Sequence, residues 1–490
     1  MDHFLAIVTD FLRDFWPHFV ASAVVAVSLV AAAHAILNKR DSRAAIGWVG
    51  VIWLSPPIGA VLYYLLGINR IQRRAKLLRG GRDFYVLPPT PHAVSDAMFR
   101  EKLGAAAERF RPLVSLVGEL AEHPLVYGNR VDPLIGGDDA FPPMLAGIDG
   151  AQRSVSVETY IFDNDRAGKL FAEALGRAVK RGVEVRVLID SVGSRYTFPS
   201  IVPRLRQLGV PVARFMRTYV PKSLKYTNLR SHRKILVTDG RLGFTGGLNI
   251  REGAMLAAEP RAPLHDTHFR FAGPVVAHLQ EVFVEDWAFT TGEVLKGELW
   301  FPPLDVAGEV FARGISNGPD EDIGEMRTTL IGALTCAHER VVIMTPYFLP
   351  DDALSEALNV AALRGVQVDI ILPEANNLAL VKWASTAMLF QVLERGCRVW
   401  LSAPPFDHTK LMLVDDAWTL LGSANWDPRS LRLNFEFNVE CYDRALAAEL
   451  SKLVARRLEG ARQVTLADVD GRSLLVKLRD GIARLFSPYL

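Results

Sequence analysis

Asn228-Leu-Arg-Ser-His232-Arg-Lys234-Ile-Leu-Val-Thr-Asp239, followed by Gly246-Gly247-Leu-Asn249, decides the fold, because the chain spells the pattern twice. The second copy reads Phe406-Asp-His408-Thr-Lys410-Leu-Met-Leu-Val-Asp415, followed by Gly422-Ser423-Ala-Asn425. In both, six residues separate the aspartate from the first glycine. In both, His and Lys stand at i and i+2 before an apolar run, which on a β-strand puts them on one face. One His-x-Lys-x-x-x-x-Asp string is weak evidence, with about 0.03 matches expected by chance in such a chain. Two copies sharing the downstream Gly-[Gly/Ser]-x-Asn remove chance as the explanation.

Working outward, each copy is preceded by the same succession of elements. Copy one has Ser154-Val-Ser-Val-Glu-Thr-Tyr160-Ile-Phe-Asp163, a helical stretch, then Arg181-Gly182-Val183 leading into a strand that ends at Asp190. Copy two has Val341-Val-Ile-Met-Thr-Pro-Tyr347-Phe-Leu-Pro350, a helical stretch, then Arg364-Gly365-Val366 leading into a strand that ends at Pro373. β-Branched runs alternating with Ala/Leu-rich stretches predict βαβ units and a helix-covered sheet, an α/β fold. The 490 residues exceed one ordinary domain. The expected division is an N-terminal two-helix transmembrane hairpin with a basic juxtamembrane flank over 1–80, one α/β half over 110–300 and a second, with a C-terminal amphipathic segment, over 320–490.

The repeated side chains suit phosphodiester exchange. One imidazole can attack phosphorus; the other can protonate the leaving alkoxide and then deprotonate the incoming alcohol. Lys234, Lys410, Asn249 and Asn425 can hold the non-bridging oxygens. Each imidazole needs a carboxylate to fix its tautomer, and Asp266 and Glu436 are the candidates, one downstream of each histidine. Asp239 and Asp415 complete the candidate catalytic set, although both begin turns, which also fits a structural role. Neither histidines nor carboxylates are spaced to hold a metal, and no cofactor is expected. Cys336, Cys397 and Cys441 are far apart and odd in number, which fits a reducing compartment.

Half of the residues are hydrophobic, and the excess lies near the N-terminus. Phe19 to Leu37 and Ala44 to Ile68 are uncharged apart from His34, and each is long enough to span a hydrocarbon core of roughly 30 Å as a helix. Pro56-Pro57 predicts a kink or re-entrant path in the second. Trp48, Trp53, Tyr63 and Tyr64 resemble interfacial anchors. A signal peptide would need a basic start, but Asp2, Asp10 and Asp14 outnumber Arg13. Lys39, Arg40 and Arg43 lie between the stretches; Arg13, Arg70, Arg73, Arg74, Lys76, Arg79 and Arg82 lie outside them. That imbalance places both termini in the cytoplasm. The basic run after Ile68 would attract anionic headgroups. Arg472 to Leu490 mixes leucines with Lys and Arg, as an interfacial amphipathic helix or a capping helix would.

These strings resemble the phospholipase D superfamily and, within it, the bacterial cardiolipin synthases. The resemblance spans nearly the whole chain. It includes Lys39-Arg-Asp-Ser-Arg43, Gly243-Phe-Thr-Gly-Gly-Leu-Asn249, His265-Asp-Thr-His268, Thr345-Pro-Tyr-Phe348, Gly422-Ser-Ala-Asn-Trp-Asp-Pro-Arg-Ser430 and Asn434-Phe-Glu436. Trp426 departs from the smaller apolar residue expected there. The resemblance implies two phospholipase D-type halves related by a pseudo-twofold, with the site at their seam. It implies His232 as nucleophile and His408 as general acid/base, and joining of two phosphatidylglycerol molecules into cardiolipin with release of glycerol. The expected location is the bacterial inner membrane, multi-pass, with the catalytic part cytoplasmic. A phospholipid hydrolase or a nuclease is the rival enzyme class, but a net charge of +2 does not point to nucleic acid. A non-catalytic membrane scaffold is disfavoured by the intact His232, Lys234, His408 and Lys410.

Overall fold

The computed structural model describes residues 2–39, 42–67, 94–216, 229–318 and 324–487. Arg40, the basic run from Arg70 to Arg82, and Asn228 lie outside the described residues. The chain divides into two units, Met1–Arg74 and Ala75–Leu490.

In the first unit, Asp2–Asn38 is one helix, and its stretch Phe15–Asn38 is long and apolar enough to cross a membrane. The second apolar stretch is not one spanning helix. The helix Ser42–Leu54 stops at the Pro56-Pro57 bend, and short helical turns follow to Gly67. Its 13 residues rise only about 20 Å, short of the hydrocarbon thickness. Of the four expected interfacial aromatics, Trp53 and Tyr64 are exposed. Tyr63 is instead buried, its hydroxyl 2.8 Å from His34 Nδ1 and its ring edge-on to Trp48. A phenol with a polar partner on the neighbouring helix is satisfied by packing inward.

The second unit is built around one mixed sheet. Its strands are β1 (Val126–Ile135), β2 (Ser154–Thr159), β3 (Glu184–Asp190), β4 (Val212–Phe215), β5 (Arg230–Ser231), β6 (Ile235–Thr238), β7 (Leu242–Gly246) and β9 (Thr267–Ala272) in the first half. In the second half they are β10 (Val310–Asn317), β11 (Arg340–Met344), β12 (Gln367–Pro373), β13 (Arg398–Ser402), β15 (Leu411–Val414), β16 (Trp418–Gly422), β17 (Asn434–Tyr442) and β18 (Arg462–Val464). The short β8 (Leu264–His265) and β14 (Phe406–Asp407) pair separately.

The order β4-β3-β2-β6-β7-β9-β1 runs into β10-β17-β16-β15-β11-β12-β13-β18. Apart from β18 the sequence of pairings reads alike from either end, parallel outside and antiparallel inside. β1 and β10, the equivalent strands of the two halves, meet antiparallel at the centre. This is the pseudo-twofold that the family resemblance implies.

The crossover helices begin alike. Asp165 Oδ1 accepts from the N–H of Gly168 to start Arg166–Lys180, and Asp351 Oδ1 from that of Leu354 to start Asp352–Leu363. Each cap satisfies a donor with no helical partner and contributes about 1 kcal/mol. Both helices stop at glycines with positive φ, Gly182 and Gly365, where a Cβ would be strained. The helix Val276–Thr291 is buried nearly all round; Leu279, Val282 and Phe283 join Phe435, Phe437 and Val439 of the second half in one core. Full burial of each such side chain contributes about 1.5–3 kcal/mol, which ties the halves together.

Candidate active site

The seam is crossed by two short exchanges of strand. β5, just before His232, pairs parallel with the start of β17; β14, just before His408, pairs parallel with β8. The N–H of His232 donates to Phe435 O at 2.8 Å, and that of His408 to His265 O at 2.8 Å. Phe435 and His265 immediately precede Glu436 and Asp266, so each backbone bond delivers a carboxylate of one half to the histidine of the other.

The imidazoles lie 6.4 Å apart between centroids, nearly perpendicular. His232 Nδ1 stands 2.9 and 3.0 Å from the Glu436 oxygens and 3.1 Å from Ser423 O. All three are acceptors, so Nδ1 carries the proton and Nε2 the lone pair. His408 Nδ1 lies 2.9 Å from Asp266 Oδ2 and 2.8 Å from Lys410 Nζ. It therefore faces an acceptor and a donor together.

The carboxylates are held differently. Glu436 is fully buried and accepts from Ser423 Oγ at 2.6 Å and Asn434 Nδ2 at 3.1 Å. Burial alone would raise its pKa, but His232, Lys234 and the Ser423 hydroxyl outweigh burial and hold it below its ordinary value. Gly247 occupies the place of Ser423 in the first half, and a Cβ there would lie 2.0 Å from Asp266 Oδ1. Only glycine leaves room, and it brings no hydroxyl. Asp266 is pushed up to about 7, chiefly by burial, against the pull of Lys410. Burial, followed by neighbouring cations, pushes His408 well below its ordinary value.

Lys234 Nζ donates to His232 O at 2.5 Å, and Lys410 Nζ donates to His408 O. Burial lowers Lys234 to about 7 and Lys410 to about 8. Buried ammonium groups facing one seam favour an anion strongly. Asn249 Oδ1 accepts from the N–H of Ile161 at 3.0 Å, which leaves its NH2 as a donor. Asn425, in the second half's matching position, is buried too. Tyr160 and Tyr347 set their rings edge-on to His232 and His408 at 5.3 and 6.3 Å.

Asp239 and Asp415 are not brought to the imidazoles. Each sits with positive φ at the far end of its strand, roughly 20 Å along the chain from its histidine by strand rise. Asp239 accepts backbone N–H groups of Gln152, Arg153 and Ser154 at 2.7–3.1 Å. Asp415 does the same for His338, Glu339 and Arg340, and adds an ion pair with Arg109. They fasten the turns entering β2 and β11. Asp239→Ala is therefore expected to cost about 2–4 kcal/mol of stability while leaving turnover per folded molecule nearly intact. Denaturant unfolding beside an activity assay reads both, and loss of turnover at unchanged stability would contradict the assignment.

The sequence reading missed Arg233. It is fully buried, donates to Glu436 O at 3.1 Å and Ser316 Oγ at 2.5 Å, and pairs with Asp286 Oδ2 at 2.5 Å. It thereby fixes the segment that carries Glu436. It stands between His232 and Lys234 in the link from β5 to β6, and its side chain meets Asp286 and Ser316.

The family described as "Cardiolipin synthase, PLD-like domain" matches residues 144–287 and 330–458, one match on each half. The chain belongs to this family. The description "Phospholipase_D-nuclease N-terminal" matches residues 26–67. The family's cardiolipin synthase A from Pseudomonas putida is 32% identical over 98% of this chain and 99% of its own length. The cardiolipin synthase of Geobacillus kaustophilus is 31% identical over 96% and 93%. The crystal structure of phosphatidylserine synthase from Haemophilus influenzae superposes with a TM-score of 0.61, covering 78% of this chain and all of that one, at 15% identity. It shares the fold of two phospholipase D-like halves.

Proposed function

We propose that this enzyme is a phosphatidyltransferase that makes cardiolipin from two phosphatidylglycerol molecules. Near-full-length similarity to cardiolipin synthases supports the reaction class. The observation that carries the chemistry is the two-imidazole seam with its crossed carboxylates.

His232 Nε2 attacks the phosphorus of the first phosphatidylglycerol, and the P–O bond to glycerol breaks. His408 gives its proton to the departing alkoxide. The product is a phosphatidyl-His232 and free glycerol. The second phosphatidylglycerol then enters, His408 takes the proton of its glycerol hydroxyl, and that oxygen attacks phosphorus and releases His232. Lys234, Lys410, Asn249 and Asn425 hold the non-bridging oxygens. The phosphodiester anion counters the cations around His408 and raises its proton affinity where an acid is needed. Asp239 and Asp415 act structurally, through the turns they fasten.

Residues 1–80 anchor the enzyme in the bacterial inner membrane, with the helix Phe15–Asn38 crossing once and the kinked second apolar segment crossing back, so that both termini are cytoplasmic. The halves, taken as 110–300 and 320–490, then work at the inner leaflet. Incubating the purified full-length protein with phosphatidylglycerol alone, in vesicles, tests the reading by mass spectrometry. Cardiolipin with equimolar glycerol is expected; phosphatidic acid without cardiolipin would make water the acceptor and the enzyme a hydrolase.

A further inference from the structure

The helix Leu474–Leu485 is packed inside out. Its inward face carries Asp480, 1% exposed, and Ala483. Its outward face carries Leu474, Leu475, Leu478, Ile482 and Leu485, with Phe486 just beyond, and Leu474, Leu475 and Leu485 are 75–80% exposed. Single exposed leucines are ordinary, but a continuous stripe of them is not. Burying a carboxylate to turn leucines toward solvent runs against the usual sorting of a globular surface.

The inversion is built rather than frayed. Arg472 and Arg479 both bind the Asp480 carboxylate, Arg479 also lies over the Trp383 ring at 4.4 Å, and Ala483 packs with Val381, Ala384 and Met388. The partner helix Ala379–Thr386 extends the apolar surface with Leu378 and Leu380, both exposed. The charged residues of the two helices are Lys382, Lys477, Arg479 and Arg484 together with Asp480, the one acid, which is buried. The exposed side thus joins leucines to cations, the pattern that fits an anionic bilayer interface. Tyr347 packs against the buried side of this helix pair and lies edge-on to His408, so the pair is one side chain removed from a reacting group.

We propose that the outward faces of Leu474–Leu485 and Leu378–Leu380 dock the catalytic unit onto an anionic bilayer, a second attachment in addition to the membrane helix. This rests on the reading above that the substrates are bilayer phospholipids. The surface would seat the mouth beside His408 in the headgroup layer, where both donor and acceptor lipids enter.

The test uses the full-length protein, with Cys336→Ser and a nitrobenzoxadiazole label at Leu478→Cys, in phosphatidylglycerol-containing vesicles with doxyl-labelled phosphatidylcholine. The label is expected to lose about twofold or more of its emission, as does the same label at Ala26→Cys in the membrane helix. Quenching at 26 without quenching at 478 would overturn the proposal. An inter-chain disulfide through unlabelled Leu478→Cys, in place of quenching, would overturn it too and assign the face to a second copy. In a second arm, the combined Leu474→Glu, Leu478→Glu and Leu485→Glu protein should lose about tenfold in turnover of long-chain phosphatidylglycerol in vesicles. Turnover of monomeric short-chain phosphatidylglycerol should be retained; an equal loss on both would count against docking. Quenching at 478 in a protein that makes no cardiolipin would uphold docking while overturning the reaction assigned above.

Discussion

His232→Ala protein makes no cardiolipin from phosphatidylglycerol and yields no covalent phosphatidyl-enzyme on acid quenching, with turnover down by about 10,000-fold or more. The expectation rests on the tautomer. Glu436 and Ser423 O both accept at Nδ1, so the lone pair stands on Nε2 without a base having to generate it. His232 is pushed below its ordinary pKa, chiefly by burial, which keeps it neutral and nucleophilic near pH 7. His408 has no such fixed tautomer, because Lys410 and Asp266 press on the same nitrogen. Its proton can move among three groups, as a general acid/base requires. His408→Ala is accordingly expected to slow turnover and let the covalent species accumulate, read by intact-protein mass spectrometry. Substantial activity in both variants would sink the two-histidine mechanism, and a trapped adduct on His408 would reverse the assignment.

The second large effect is that of Glu436→Gln. Every group around the carboxylate is a donor: His232 Nδ1–H, the Ser423 hydroxyl and the Asn434 amide. A glutamine places an NH2 against one of them in either orientation. It also removes the negative charge that supports an imidazolium during phosphoryl transfer. A fall in turnover of about 100- to 10,000-fold is expected, with a smaller change in KM, by analogy with loss of the anion behind other catalytic histidines. Burst kinetics should place the loss in formation of the covalent species. Turnover within about threefold of the parent would remove Glu436 from the mechanism.

Neighbour-to-neighbour chemistry was legible in the sequence. The repeated His-x-Lys pattern determined two like α/β halves, although the tripeptides themselves lie in the links between strands, 232–234 between β5 and β6 and 408–410 between β14 and β15, rather than on a strand. Nothing in the string says what the intervening Arg233 meets. The long apolar run near the N-terminus determined a helix fit for a membrane, because length and composition suffice for that. Pro56-Pro57 likewise announced a break, but whether the remainder still spans depends on helix lengths that only folding fixes.

Tertiary structure alone decided which carboxylate serves which histidine. Asp266 and Glu436 each follow one histidine in sequence and serve the other in space. That exchange depends on β1 meeting β10 and on β5 and β14 adding to strands of the opposite half, and such long-range pairing leaves no period in the sequence. The same holds for Asp239 and Asp415, whose partners are backbone N–H groups distant in sequence, and for Asp480, whose burial reverses the helix that composition marks as amphipathic. Local geometry is written in residue spacing; a buried charge finds its partner only once the core has closed around both.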